Sequence, residues 1–229
     1  MIVLHHLQDS RSQRVLWLLE ELGVDYEIHY YQRDPGTNLA PPELREVHPL
    51  GKSPVITDNG RTLAESGTII DYLARSYGND PWTRDPGDAD YWDYDYWMHY
   101  AEGSLMPPLL VQLIFSKVRS SAPFFVRPIA AGIADQVDKA FTSGQIRTHC
   151  RFVEAHLADR KWFLGNAISA ADIQMSFPLE AALGRAVPAE DYPHIADYVR
   201  RFQRRPAYRR ALDAVEDHYA YGPDHLGGD

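Results

Sequence analysis

The stretch Ile2-Val-Leu-His-His-Leu-Gln-Asp-Ser-Arg-Ser-Gln-Arg-Val-Leu-Trp-Leu-Leu-Glu-Glu-Leu-Gly23 changes its period partway along. Residues 2–5 are short and β-branched at their start, which reads as a strand. Gln8-Asp-Ser-Arg-Ser12 is a polar turn. Val15, Leu16, Leu18, Leu19 and Leu22 then recur at helical spacing, and Gly23 stands where a left-handed residue closes a helix. Tyr26-Glu-Ile-His-Tyr-Tyr31 alternates and reads as a second strand. Strand, helix and strand in this order make a βαβ unit, so the two strands are expected to run parallel with a right-handed crossover.

Outward from that unit comes a loop holding Pro35, Gly36, Pro41 and Pro42. Residues 54–57 and 62–63 flank Asp58-Asn-Gly60, a hairpin signal. A helical pattern over Ser66–Tyr77 closes at Gly78. The order is βαβ, an irregular stretch, then ββα. That is the thioredoxin-like arrangement (βαβ-α-ββα), an α/β fold with a mixed sheet and helices on both faces. Asn79-Asp-Pro-Trp-Thr-Arg-Asp-Pro-Gly87, with two prolines and a glycine, reads as a linker. Beyond it strand signals are scarce. Helical patterns cover residues 88–115, which Pro107-Pro108 should bend or break, then 125–157, 170–183, 195–202 and 207–215. The expected division is a thioredoxin-like domain over 1–80, a linker over 81–88 and an all-α domain over 89–229.

The 229 residues hold 32 Asp and Glu against 23 Lys and Arg, a net charge of −9. With a pI near 5.5, broad binding to nucleic acid or an anionic membrane is disfavoured. A hydrophobic fraction of 45% and a mean hydropathy of −0.40 suit a chain that buries a core. One cysteine, Cys150, excludes an internal disulfide, a Cys-rich zinc site and a C-x-x-C redox pair. The opening Met1-Ile-Val-Leu-His-His6 lacks the basic start and long apolar core of a signal peptide. No run approaches the ~20 apolar residues of a membrane span. A soluble, cytoplasmic protein is expected.

Three motifs recur in order. The first is Ser10-Arg-Ser-Gln-Arg14, leading into the helix that ends at Gly23. The second is His48-Pro-Leu-Gly-Lys-Ser-Pro54, followed by Leu63-Ala-Glu-Ser66 and Ile69-Ile-Asp-Tyr-Leu73. The third is Phe163-Leu-Gly-Asn-Ala-Ile-Ser-Ala-Ala-Asp-Ile173. Together they resemble the cytosolic glutathione S-transferase family, nearest its serine-type, theta-like and bacterial or fungal members. The resemblance runs from Ile2 to Tyr208. It implies glutathione as co-substrate, no metal, a small hydrophobic electrophile as second substrate, and a homodimer. Two rival readings stand beside conjugation: glutathione-dependent disulfide or peroxide reduction, and a non-catalytic partner-binding protein on the same fold.

Conjugation needs a thiolate, and a free thiol titrates near ~8.5. A hydroxyl donating to sulfur and the positive end of a helix both favour the charged form. Ser10 stands where both act, as donor rather than nucleophile. Ser12 is the alternative, and either serine can equally serve as a helix cap. Arg11 adds local positive charge or is simply solvated. Ser53-Pro54 is a candidate cis peptide, with an ordinary trans proline at a strand start as the bland alternative. The resemblance implies cis, with the Ser53 backbone pairing to the cysteinyl backbone of glutathione. Valine is common before this proline in the family, and Ser53 replaces it. Glu65 and Ser66 open a helix whose free N–H groups attract a carboxylate, which suits the γ-glutamyl end. The basic residue that related classes carry before Pro42 is replaced by Leu39 and Ala40, so the glycine carboxylate falls to Lys52 or Arg33.

Other clusters invite stronger readings. Tyr94, Trp97 and Met98 share a helix face expected to border the substrate pocket, while Trp92, Tyr96 and Tyr100 form another; core packing is the alternative. Asp88, Asp90, Asp93 and Asp95 lack metal-loop spacing and read as an acidic helix start. Ser169 and Asp172 form a capping-box variant with a structural role. Arg200, Arg201, Arg204, Arg205, Arg209 and Arg210 suggest a solvated face or intersubunit salt bridges. Cys150 is expected buried and inert. The segment after His218 is expected either to hang loose or to fold over the pocket.

Overall fold

The computed structural model describes residues 1–79, 82–215 and 219–223. Strand β1 (Ile2–Leu7) leads into α1 (Ser12–Leu22), which Gly23 ends at φ +63° by donating its N–H to Leu19 O. Strand β2 (Tyr26–Tyr31) returns parallel to β1. The irregular stretch carries one short helix, α2 (Leu44–Val47). Strands β3 (Val55–Asp58) and β4 (Arg61–Ala64) form a hairpin about Asn59 and Gly60, both with positive φ. Two such residues are what a type I′ turn requires. The sheet order is β2-β1-β3-β4, with β3 antiparallel to β1. Helix α3 (Ser66–Tyr77) follows, and the thioredoxin-like order is complete. Alternation along β1 sends Ile2 and Leu4 into the main core and Leu7 against Tyr31 and Leu44 beneath α2.

Asp80 and Pro81 of the expected linker lie outside the described residues. Trp82, just beyond, accepts the Ala170 N–H at 2.9 Å. Helix α4 (Tyr91–Tyr100) runs through a π-helical turn, Ala101–Leu105, into α5 (Met106–Ser121). Pro107-Pro108 therefore neither breaks nor ends the helix. The wide turn bonds Met106 N–H to Ala101 O, five residues back. It delivers the prolines to the first turn of α5, where missing N–H groups cost nothing. The single helix expected over 125–157 is also divided. Helix α6 (Arg127–Val137) passes through a second π-helical turn, Asp138–Thr142, into α7 (Ser143–Leu157). Ile146 and Val153 are buried, but Phe141 and Phe152 remain half exposed.

Helix α8 (Ala170–Arg185) is buried along almost its whole length, and α9 (Pro193–Gln203) and α10 (Pro206–Asp213) pack beside it. The Ser169–Asp172 capping box forms as expected. Asp172 also accepts from Phe163 N at 2.9 Å and from Tyr198 OH at 3.0 Å, joining α8 to α9. One hydrophobic core spans sheet and helices: the Trp17 ring of α1 stacks on Phe202 at 5.1 Å and meets Tyr208 edge-on at 5.5 Å. Part of the arginine run closes this seam within the chain, since Arg205 pairs with Glu21 and Arg210 with Glu20, both on α1.

Candidate functional site

Where β1 stops, Asp9 takes φ +47° and turns the chain so that Ser10 stands at the mouth of α1. The Ser10 hydroxyl accepts from Ser12 N at 3.2 Å and lies 2.7 Å from the Ser12 hydroxyl. Ser12 Oγ sits 3.1 Å from His6 Nδ1 and 3.3 Å from Leu7 O. Burial pushes His6 down to about 4 against the opposing Asp9 carboxylate, so the ring is neutral at neutral pH. Ser10 keeps 7% of its surface while Ser12 keeps none. Of the two candidates, Ser10 is the less deeply buried. Arg11 is neither free nor simply solvated: it pairs with Glu102 at 3.0 Å, and its guanidinium lies 5.4 Å from the Phe177 ring centroid.

The Ser53-Pro54 peptide is cis. Ser53 Oγ donates to His5 O at 2.9 Å and accepts from Leu7 N at 3.2 Å. A hydroxyl at this position thus stitches the loop to the end of β1, which valine cannot do. Arg33 spends its guanidinium on three carbonyls, those of Gln8, Asp9 and Asn38. Lys52 is exposed and has no hydrogen-bond or ion-pair partner among the described residues.

At α3 the capping position belongs to Glu65 rather than Ser66. Glu65 adopts φ +69°, ψ 118°, a region costly for a residue with a side chain, and its carbonyl accepts Ile69 N at 2.9 Å. The N–H groups of Ser66, Gly67 and Thr68 precede that first helical bond, as at any helix start. Ser66 is buried, and its hydroxyl accepts from Arg14 at 2.6 Å.

Arg14 was not foreseen as part of this region. Its side chain is wholly buried and reaches Ser66, the Gln174 carbonyl at 2.5 Å and the Glu102 carboxylate. Pro178 explains the second contact. It lies four residues after Gln174 inside α8 and has no N–H, so that carbonyl has no helical partner. Burial acts to raise Glu102, but Arg14 and Arg11 outweigh it and hold its carboxyl below the usual range.

A groove of about 900 Å³ opens between α3 and α4, with Glu65, Gly67, Thr68 and Glu102 among its walls. Tyr94 and Met98 reach it, and Tyr94 OH donates to Asp71 at 2.6 Å. Trp97 does not: its ring packs into the helical core 4.5 Å from Phe163. Trp92 and Tyr96 lie exposed on α4, whereas Tyr100 is buried. Among the described residues no cluster of His, Cys, Asp and Glu could hold a metal. Cys150 is buried in α7, and burial pushes its thiol up to about 12.

Residues 4–81 match the family described as the glutathione S-transferase N-terminal domain. Residues 117–206 match the corresponding C-terminal domain. The chain is 38% identical over 217 residues to glutathione S-transferase 3 of Schizosaccharomyces pombe, covering 95% of this chain and 89% of the relative. A solved glutathione S-transferase from Actinobacillus pleuropneumoniae is 32% identical, with a TM-score of 0.80 over 96% of this chain and 95% of that one. A glutathione transferase family member from Pseudomonas fluorescens, solved with two glutathione bound, is 25% identical, with a TM-score of 0.72 over 92% of each chain. Motifs, fold and both halves agree: the chain belongs to the glutathione S-transferase family of enzymes.

Proposed function

We propose that this enzyme holds glutathione with its sulfur as a thiolate beside Ser10 and attacks small hydrophobic electrophiles with it, in the manner of the serine-type classes. The observation that carries the reading is the hydrogen-bond count at Ser10. Its oxygen accepts from Ser12 N, and with the neutral His6 ring donating from Nδ1 to Ser12 Oγ, the Ser12 hydroxyl gives its one proton to Ser10 Oγ across their 2.7 Å contact. The Ser10 proton is then available to an outside acceptor, and a thiolate at the N-terminus of α1 is such an acceptor. Holding half of the thiol ionised two pH units below ~8.5 needs about 2.7 kcal/mol of preference for the charged form. One charge-assisted bond of about 2 kcal/mol plus the helix end at about 0.5 kcal/mol reaches that range.

The rest of the tripeptide finds complementary groups along the same edge. The backbone N–H and C=O of Ser53 make no turn or ladder bond among the described residues and suit the cysteinyl backbone. The γ-glutamyl carboxylate meets the first turn of α3, and the Glu65 carboxylate suits its ammonium. With Arg33 committed to the loop carbonyls, Lys52 is the cation left for the glycine carboxylate. Tyr94 and Met98 supply apolar wall near the groove. In the chemical step the sulfur lone pair forms a C–S bond, and the leaving group departs with the electrons of the bond it breaks. A homodimer accords with the exposed Trp92 and Tyr96 of α4.

Ultraviolet titration of the bound tripeptide tests the reading directly. Mercaptide absorbance should appear near pH 6–7 in the native enzyme and shift upward by one to two units in Ser10→Ala, with conjugation of an aryl halide falling about a hundredfold. An unchanged titration would remove Ser10 from the role. Reduction of a mixed disulfide much faster than any conjugation would favour the reductase reading instead, with glutathione's own sulfur as the reductant.

A further inference from the structure

The α5–α6 hairpin departs from the rest of the molecule. Between residues 110 and 141 only Ala134 is buried, although the segment is rich in large apolar side chains. Ile114 and Val118 recur four apart on α5, and Ile129 and Ile133 four apart on α6, all exposed. At the tip, Phe124 and Phe125 are 82% and 69% exposed. Apolar surface of this extent on a folded protein marks something that covers it.

The charge of the hairpin says what. Residues 103–134 contain no Asp or Glu, in a chain that has 32 of them. The same stretch carries Lys117, Arg119 and Arg127. Arg119 is partly satisfied by Asp135 of α6, but Lys117 and Arg127 have no ion-pair partner among the described residues. The chain-wide charge of −9 thus conceals a local surface of the opposite sign. A second copy of the chain meeting this face symmetrically would set the unpaired Lys117 and Arg127 against their own copies. No helix among the described residues is long and apolar enough to cross a membrane. Aromatic residues at a tip, with three basic residues beside them against the single acid Asp135, are the composition of an element that lies on anionic lipid. We infer that the α5–α6 hairpin docks the enzyme onto an anionic membrane surface, with Phe124 and Phe125 entering the headgroup boundary and Lys117, Arg119 and Arg127 facing the lipid phosphates. The inference is independent of how Ser10 acts.

Flotation of the full-length protein with phosphatidylcholine vesicles, with and without phosphatidylserine, tests it. Binding should require phosphatidylserine and should weaken as salt screens the headgroups. K117Q/R127Q should weaken it about twenty-fivefold, at about fivefold per cation, and F124S/F125S should abolish it. Both variants should keep native conjugation activity in solution, which shows that they fold. Binding that is absent at low salt, or equal on neutral vesicles, or untouched in F124S/F125S would overturn the inference. So would sedimentation analysis in which F124S/F125S splits a larger assembly while the native protein ignores vesicles, since the face would then be a contact between copies.

Discussion

Arg14 occupies a position where the apolar period of α1 asks for a hydrophobic side chain, four residues before Leu18. A guanidinium there is affordable only because three acceptors surround it, on α3, on α8 and on the π-helical turn. The sequence carried half of this signal: a charged residue on an apolar face, and a proline inside a helix that strands one carbonyl. It could not carry the pairing, because Glu102 and Gln174 are far away along the chain. The same limit applies to Ser10 and Ser12. Motif and spacing left both open, and only depth separates them. Arg14→Met should lower the unfolding free energy by about 3 kcal/mol, since the Gln174 carbonyl and Ser66 hydroxyl lose their partner in the interior. Urea unfolding at constant slope is the measurement. A change within a few tenths of a kcal/mol would mean that the buried cation contributes nothing net.

Elements whose signals are local were legible: the βαβ unit, the Asn59-Gly60 hairpin, the α3 limits and the capping box each depend on neighbours a few residues apart. The π-helical turns were not, because five residues at a wider period blur into the helical patterns on either side. Gly78 shows how a boundary is fixed by packing as much as by propensity. Its φ is ordinary, but a Cβ there would lie 2.5 Å from Ala74 O, 2.9 Å from Trp82 Cδ1 and 3.2 Å from Leu22 Cδ2. The first of these atoms is backbone and cannot swing aside. Close approach of α3, α1 and the connection to α4 therefore requires glycine. Gly78→Ala should cost about 2 kcal/mol, seen as a lower thermal midpoint. If alanine were tolerated without loss, the connection would have to be looser than this packing indicates.

At the scale of the whole molecule, the last described segment returns to the first loop. Tyr219 OH donates to Glu180 at 3.0 Å, Ala220 N–H donates to Asp9 at 2.8 Å, and Tyr221 meets Arg185 and the Phe177 ring. The part of the segment after His218 that is described thus folds over the region of Ser10; residues 216–218 and 224–229 lie outside the described residues. Glu180 is the hub. Gln203 donates to it at 2.9 Å, Tyr208 and Tyr219 also donate, and the carboxyl is wholly buried. Burial raises it to about 7 from an ordinary 4.5, and the three donors only partly offset that rise. Between those two values the folded chain holds a proton that the unfolded chain has lost. Stability therefore falls as pH rises through this window and is level above it, by about 3 kcal/mol in all. Glu180→Gln removes the titration while keeping an acceptor for the tyrosines. Asp172, also raised by burial, titrates in the same direction, so the useful quantity is the difference between native protein and variant. That difference should decline from pH 4.5 to pH 7, and the decline should be accompanied by faster proteolysis of the C-terminal segment in the native protein. A difference that stays level would mean that the three donors keep Glu180 ionised throughout, and that the segment is held over the site by an anion rather than by a neutral acid.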